Sequence, residues 1–109
     1  MARAVAEAPA LVERVSPFVL EEVAGEGLRL RLVAPLILMP ELLEGLVALQ
    51  HAELGIIAYG ATQREAEQAL REELLWLWRT YAVADDADLT ADARQLKRVL
   101  LRLLRAEGT

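Results

Sequence analysis

Apolar and polar positions alternate at period two in Leu28-Arg29-Leu30-Arg31-Leu32, which predicts a strand with one buried face. The triplet Gly25-Glu26-Gly27 before it reads as a turn, and the apolar text from Leu11 to Ala24, interrupted by Pro17, predicts a short irregular strand. Pro35 lies in the same extended run as Leu28. Because proline cannot donate to a ladder, it predicts an edge position or a bulge there. Residues 36–39 continue extended, and residues 40–45 read as a hairpin connection. Residues 45–51 and 54–59 form two further strands, joined tightly near Ala52-Glu53. Both faces of this pair are apolar. The reading puts Leu46, Ala48, Ile56 and Ala58 on one face and Val47, Leu49, Ile57 and Tyr59 on the other. Such a sheet needs cover on both sides, and a single helix covers one. Val47, Leu49, Ile57 and Tyr59 are therefore the candidate self-association face, with a homodimer or higher homo-oligomer expected.

The period then changes. Thr62 and Glu65 have the spacing of a capping box, in which each side chain satisfies a backbone N–H of the other at a helix start. At about 100° per residue, Ala66, Leu70, Leu74, Leu77 and Tyr81 share one face, flanked by Ala69 and Trp76. Leu75 and Trp78 widen the arc, which predicts a second contact surface for a C-terminal helix or another subunit. Glu73 falls among these apolar positions and is the candidate buried carboxylate, to be met by an arginine or a hydroxyl. After the polar run Asp85-Asp86-Ala87-Asp88, a last helix capped by Thr90 or Asp88 runs to about Arg105. Ala93, Leu96, Leu100, Leu103 and Leu104 are its apolar face. Arg94, Arg98, Arg102 and Arg105, with Leu101 among them, form the candidate partner face.

Composition adds association and removes most chemistry. At 109 residues the chain is one domain: residues 11–109 after a loose lead-in at 1–10. Its 55% apolar content is more than one small core hides. No run approaches the roughly 20 uncharged residues of a membrane span. Arg3, Glu7, Glu13 and Arg14 break any signal-peptide core, so a cytoplasmic location is expected. The net charge of −5 is uneven, because residues 89–109 carry five basic side chains against Asp92 and Glu107. The acidic remainder disfavours non-specific nucleic-acid binding.

Ser16 is the only serine and His51 the only histidine, in different strands, so no triad pattern forms. With no cysteine, a metal site would need carboxylates and His51. Asp85, Asp86, Asp88 and Asp92 lack the glycine and terminal glutamate of a calcium loop. Gly55 and Gly60 have phosphate-loop spacing, but Ala61-Thr62 follows where that loop has Lys-Thr. No cofactor or metal is expected, and no catalytic residue.

The segment Glu53-Leu54-Gly55, followed by Gly60-Ala61-Thr62-Gln63-Arg64-Glu65-Ala66, resembles the HicB-like antitoxin superfamily, which has a truncated RNase H-like fold. The resemblance covers about residues 28–81. Ala61 stands where that pattern has Asp, Arg64 where it has Glu, and Ala52 where proline is common. It implies a protein-binding domain that covers a small RNA-cleaving toxin. Gly60, Thr62, Glu65 and Ala66 serve in it as structural turn and cap. Residues 82–109 offer one helix, too short for the separate DNA-binding domain such antitoxins often add. Nuclease chemistry needs several carboxylates converging on metal ions, whereas Glu41, Glu44 and Glu53 all lie near turns. The expected fold is α+β: a three- to four-stranded antiparallel sheet with one long helix packed on it and a C-terminal amphipathic helix.

Overall fold

A computed structural model describes residues 15–107; the lead-in at residues 1–10 and the start of the first expected strand lie outside the described residues. Strand β1 (Phe18–Gly25) and strand β2 (Leu28–Leu38) form a hairpin. Its turn residues Glu26 and Gly27 both have positive φ, 51° and 80°, the conformation that matches the twist of the flanking strands. The register jumps from Leu20↔Leu36 to Glu22↔Arg31. Leu32, Val33, Ala34 and Pro35 are thereby left without a β1 partner, so the proline sits in a bulge as its missing N–H requires.

Residues 41–43, expected as part of a connection, are a short strand, β3 (Glu41–Leu43). Its turn to β4 (Leu46–His51) repeats the device of the first hairpin, with Glu44 at φ 51° and Gly45 at 85°. Strand β5 (Ile56–Gly60) completes a second sheet. The α+β architecture agrees with the sequence, but the strands divide into two antiparallel three-stranded sheets, β3-β4-β5 and one whose third strand comes last in the chain.

Helix α1 (Gln63–Leu77) continues through a π-helical turn, Trp78–Ala82. Thr62 Oγ1 accepts from the Glu65 N–H at 3.2 Å, and Glu65 Oε1 accepts from the Ala61 N–H at 2.9 Å. The box is thus half displaced, because the carboxylate takes the donor one residue before the cap. Helix α2 (Ala91–Leu103) is capped by Thr90, whose Oγ1 accepts from the Ala93 N–H at 3.1 Å.

At Leu104 the backbone turns extended and becomes strand β6 (Leu104–Glu107), which pairs with β2 to give the order β1-β2-β6. The sequence reading carried the helix to Arg105. Arg105 and Leu104 are strand residues instead, because pairing with Arg31 and Leu32 overrides the helix preference of this leucine- and arginine-rich text.

The core lies between α1 and the strands. Leu20, Leu30, Leu49, Leu70, Leu74, Leu100 and Leu104 are its largest fully buried leucines. The broad apolar arc of α1 has the expected cause: α2 packs against the turn Trp78–Ala82, burying Trp78 and Ala82. That arc runs from Ala66 through Leu70, Leu74 and Trp78 to Leu75. Glu73 falls about 20° outside its Ala66 edge at 100° per residue and is exposed to solvent. The buried carboxylate expected there does not exist. A face centred on one stripe was drawn too far toward Glu73, because the other edge of the buried arc is set by Leu75, which packs beside Gly25 at the end of β1.

Candidate functional site

The loop Ala52–Gly55 decides which side chains of β4 and β5 share a face. It closes on His51↔Ile56, with Gly55 at φ 68° and its N–H bonded to the Ala52 carbonyl at 3.0 Å. A loop of four residues pairs even positions of β4 with odd positions of β5: Ala48↔Tyr59 and Gln50↔Ile57. Val47 and Leu49 therefore share a face with Ile56 and Ala58, and all four are buried. The candidate self-association face is split by this register. Val47 and Leu49 belong to the core, and only Ile57 and Tyr59 remain on the outer side, with Leu43 and Leu46, which pair across β3 and β4.

These four outer residues are 42–53% exposed. Leu42, Leu43, Glu44, Leu46 and Tyr59 line an open hollow of about 620 Å³ beside the Glu44-Gly45 turn. The hollow is apolar with Glu44 at its rim, and the same outer face also carries the exposed Glu41 and Gln50 beside Ala48 and Ile57. Isolated apolar residues on a surface need no explanation, but a contiguous group on a sheet face favours association. The sequence reading puts Leu46 on the face with Ile56 and Ala58, opposite to the one it shares with Ile57 and Tyr59, and Leu43 lies in residues 40–45, which read as a connection and not as a strand. A glutamate-glycine pair between apolar runs, the same signal as at Glu26-Gly27, marks that strand in retrospect.

A second groove, about 590 Å³, lies between the β1–β2 turn and α1, lined in part by Gly25, Glu72, Leu75, Trp76 and Arg79. Its polar walls are already bonded. Arg79 Nη2 donates to the Gly25 carbonyl at 2.9 Å, and Gln68 donates to Glu72 at 3.1 Å. Trp76 is half exposed and stands edge-on to Tyr81, 5.9 Å between centroids.

Ser16 and His51 are not brought together. The Ser16 backbone is bound at both its N–H and its carbonyl by the Gln63 side chain at the start of α1. His51 is at the other end of β5, about 13 Å away along a five-residue strand, where its Nδ1 accepts from the Leu54 N–H at 3.2 Å. It is a hairpin-closing residue.

The arginine face is largely consumed by the chain itself. Arg94 Nη1 donates to the Leu89 carbonyl at 2.7 Å and the Asp86 carbonyl at 3.1 Å. Arg102 pairs with Glu53, Arg98 bonds Gln95 at 3.0 Å, and Arg105 donates to the Leu101 and Leu104 carbonyls. Leu101 is 41% exposed. The residues expected as one helical line are thus a loop clasp (Arg94), a bond within the helix (Arg98), a cross-link to the β4–β5 loop (Arg102) and a strand residue (Arg105).

The Asp85–Asp88 loop is held by Lys97, whose Nζ lies 2.9 Å from Asp86 Oδ1. The Lys97 ammonium, by hydrogen bond and by charge, lowers the Asp86 carboxyl from its ordinary value of 3.8. A carboxyl depressed in the folded state stabilises the fold above its unfolded pKa, and that contribution is lost as pH falls through the folded value. Asp86→Asn is expected to lower the unfolding midpoint slightly at neutral pH, since the pair is exposed. The gap from wild type should close as pH falls through the folded-state value, which lies below 3.8. Urea titrations at neutral pH and below that value check this; a gap that persists in acid would mean that the ion pair is not its cause.

Compared with family models, with curated proteins and with solved structures, the chain matches none. Among the described residues no helix is long and apolar enough to cross a membrane, and no three His, Asp or Glu side chains are grouped to hold a metal ion.

Proposed function

We infer that the chain is a non-catalytic protein-binding domain that offers the outer face of β3–β5 to a partner protein in the cytoplasm. The observation that carries this reading is the contiguous exposure of Leu43, Leu46, Ile57 and Tyr59 on a two-sided apolar sheet whose other side is already filled. Fully burying a large apolar side chain is worth about 1.5–3 kcal/mol, so completing the burial of three half-exposed aliphatic residues and the Tyr59 ring supplies several kcal/mol of association. The resemblance of the Gly60–Ala66 turn to HicB-like antitoxins gives the partner's class: a small RNA-cleaving toxin, inactivated by being covered. The alternative, a structural or regulatory homo-oligomer, uses the same face with a second copy as occupant. A nucleic-acid role for the arginine face has less support, because Arg94 already clasps the Leu89 carbonyl and Arg102 is paired with Glu53.

The test uses the product of a small basic reading frame adjacent to this one, assayed as a ribonuclease. Added wild-type chain is expected to suppress cleavage. Ile57→Glu with Tyr59→Glu should weaken suppression by about 10²–10³-fold, from roughly 2 kcal/mol per side chain. Cleavage unaffected by the wild-type chain sinks the antitoxin reading. Undiminished suppression by the double variant sinks the assigned face.

A further inference from the structure

In the order β1-β2-β6, strand β6 is paired on one edge only among the described residues. An outer strand presents a row of backbone N–H and C=O groups to whatever can pair with them. Arg105, Ala106 and Glu107 are all exposed. Arg105 and Glu107 project from one face, as do their cross-strand neighbours Arg31 and Arg29. This register sets Arg31 directly across from Arg105, and like charges directly opposed in a ladder repel. Arg31 is relieved by Glu107, Nε to Oε2 2.8 Å, and Arg29 by Glu22 at 3.2 Å. Arg105 is not relieved in this way. Its guanidinium turns back to the Leu101 and Leu104 carbonyls, and none of the ion pairs among the described residues includes it.

We propose that β6 pairs with β6 of a second copy, antiparallel about a two-fold axis through Ala106. Charge selects this register. Centring the pair on Arg105 would oppose arginine to arginine, and centring it on Glu107 would oppose glutamate to glutamate. Centring it between residues would leave both charges facing uncharged neighbours. Centred on Ala106, each Arg105 lies opposite Glu107 of the other copy, and the match occurs twice because the contact is isologous. Glu107 then lies opposite Arg29 of its own chain on one side and Arg105 of the second copy on the other, so Arg105 gains the carboxylate it lacks within its own chain. The product is a six-stranded sheet in the order β1-β2-β6-β6-β2-β1. Strands this short bury less than a standard stable interface, so the dimer forms at about 0.1 mM and not at nanomolar concentration. It leaves the outer face of β3–β5 to its own occupant and stands whether or not that face binds a toxin.

Arg105→Glu makes the edge wholly acidic and Glu107→Arg makes it wholly basic. By light scattering at about 0.1 mM, wild type is expected to be dimeric and each variant monomeric, with dissociation constants raised at least tenfold. An equimolar mixture of the two variants is expected to recover the dimer mass, because each acidic edge then meets a basic one. Loss of fold in one variant cannot produce that rescue. A monomeric wild type, two variants that still dimerise, or a mixture that stays monomeric overturns the proposal. So does a dimer lost only on Ile57→Glu with Tyr59→Glu, which would mean that the copies meet through β3–β5. Should a variant not fold, as judged by circular dichroism, the wild type decides through salt. At about 1 M the Debye length is near 3 Å and the dimer should weaken several-fold; a dimer indifferent to salt also overturns the proposal.

Discussion

Gly60→Ala is expected to lower the thermal midpoint by roughly 15 °C, from about 3 kcal/mol of lost stability at about 4–8 °C per kcal/mol. A Cβ on Gly60 would lie 2.4 Å from the Ala66 backbone nitrogen, 2.6 Å from Glu65 Cβ and 2.7 Å from the Glu65 carbonyl carbon. Two of the three are backbone atoms of the first turn of α1, so no rotamer change relieves them. Relief requires α1 to lift from β5, and that would unseat Ala66, Leu70 and Leu74, all buried against the sheet. Gly25→Ala is the matched control. Its Cβ would meet Leu75 Cδ1 at 2.8 Å, the far end of a flexible side chain, and the cost should be about 1 kcal/mol. Scanning calorimetry of both variants checks the difference. Equal losses at the two sites would show that α1 can shift away from β5 without cost.

Gly60 also shows what kind of information the sequence made legible. The glycine turn, the Thr62 and Glu65 cap and the Gly25-Glu26-Gly27 turn were readable because each is settled within a few residues by local sterics and hydrogen bonds. The bulge at Pro35 was readable for the same reason. The rest depended on distant pairing. Nothing in Leu104-Arg105-Ala106-Glu107 opposes a helix, and only the ladder to β2 makes it a strand. With β6 unseen, Arg105 was grouped with Arg94, Arg98 and Arg102, and its opposition to Arg31 was invisible. Glu73 was placed by one helical stripe, whereas the buried arc is the resultant of two neighbours, β5 of one sheet and β1 of the other. In each case the residue types were informative and the missing quantity was a position in another element.

Leu49→Ala is expected to cost about 2–5 kcal/mol, and Ile57→Ala under about 1 kcal/mol, although both remove most of an aliphatic side chain from adjacent strands. Leu49 is fully buried beneath α1, so truncation leaves a cavity that the surrounding leucines close only in part. Ile57 is 53% exposed on the opposite side, and most of what it loses was already in contact with water. The two would have behaved alike had they shared a face, so the pair tests the parity set by the four-residue loop Ala52–Gly55. Chemical denaturation gives the stabilities; comparable losses at both positions would contradict the register Gln50↔Ile57. The same pair separates stability from association. Ile57→Ala should weaken partner binding by about tenfold while leaving the fold intact, since hydrophobic area at a contact is worth about 25 cal/mol per Å². Leu49→Ala should reduce binding only in proportion to the fraction of chain unfolded. A sheet with one face committed to the core and the other left apolar must be explained by what the outer face meets, and these two substitutions weigh the faces one at a time.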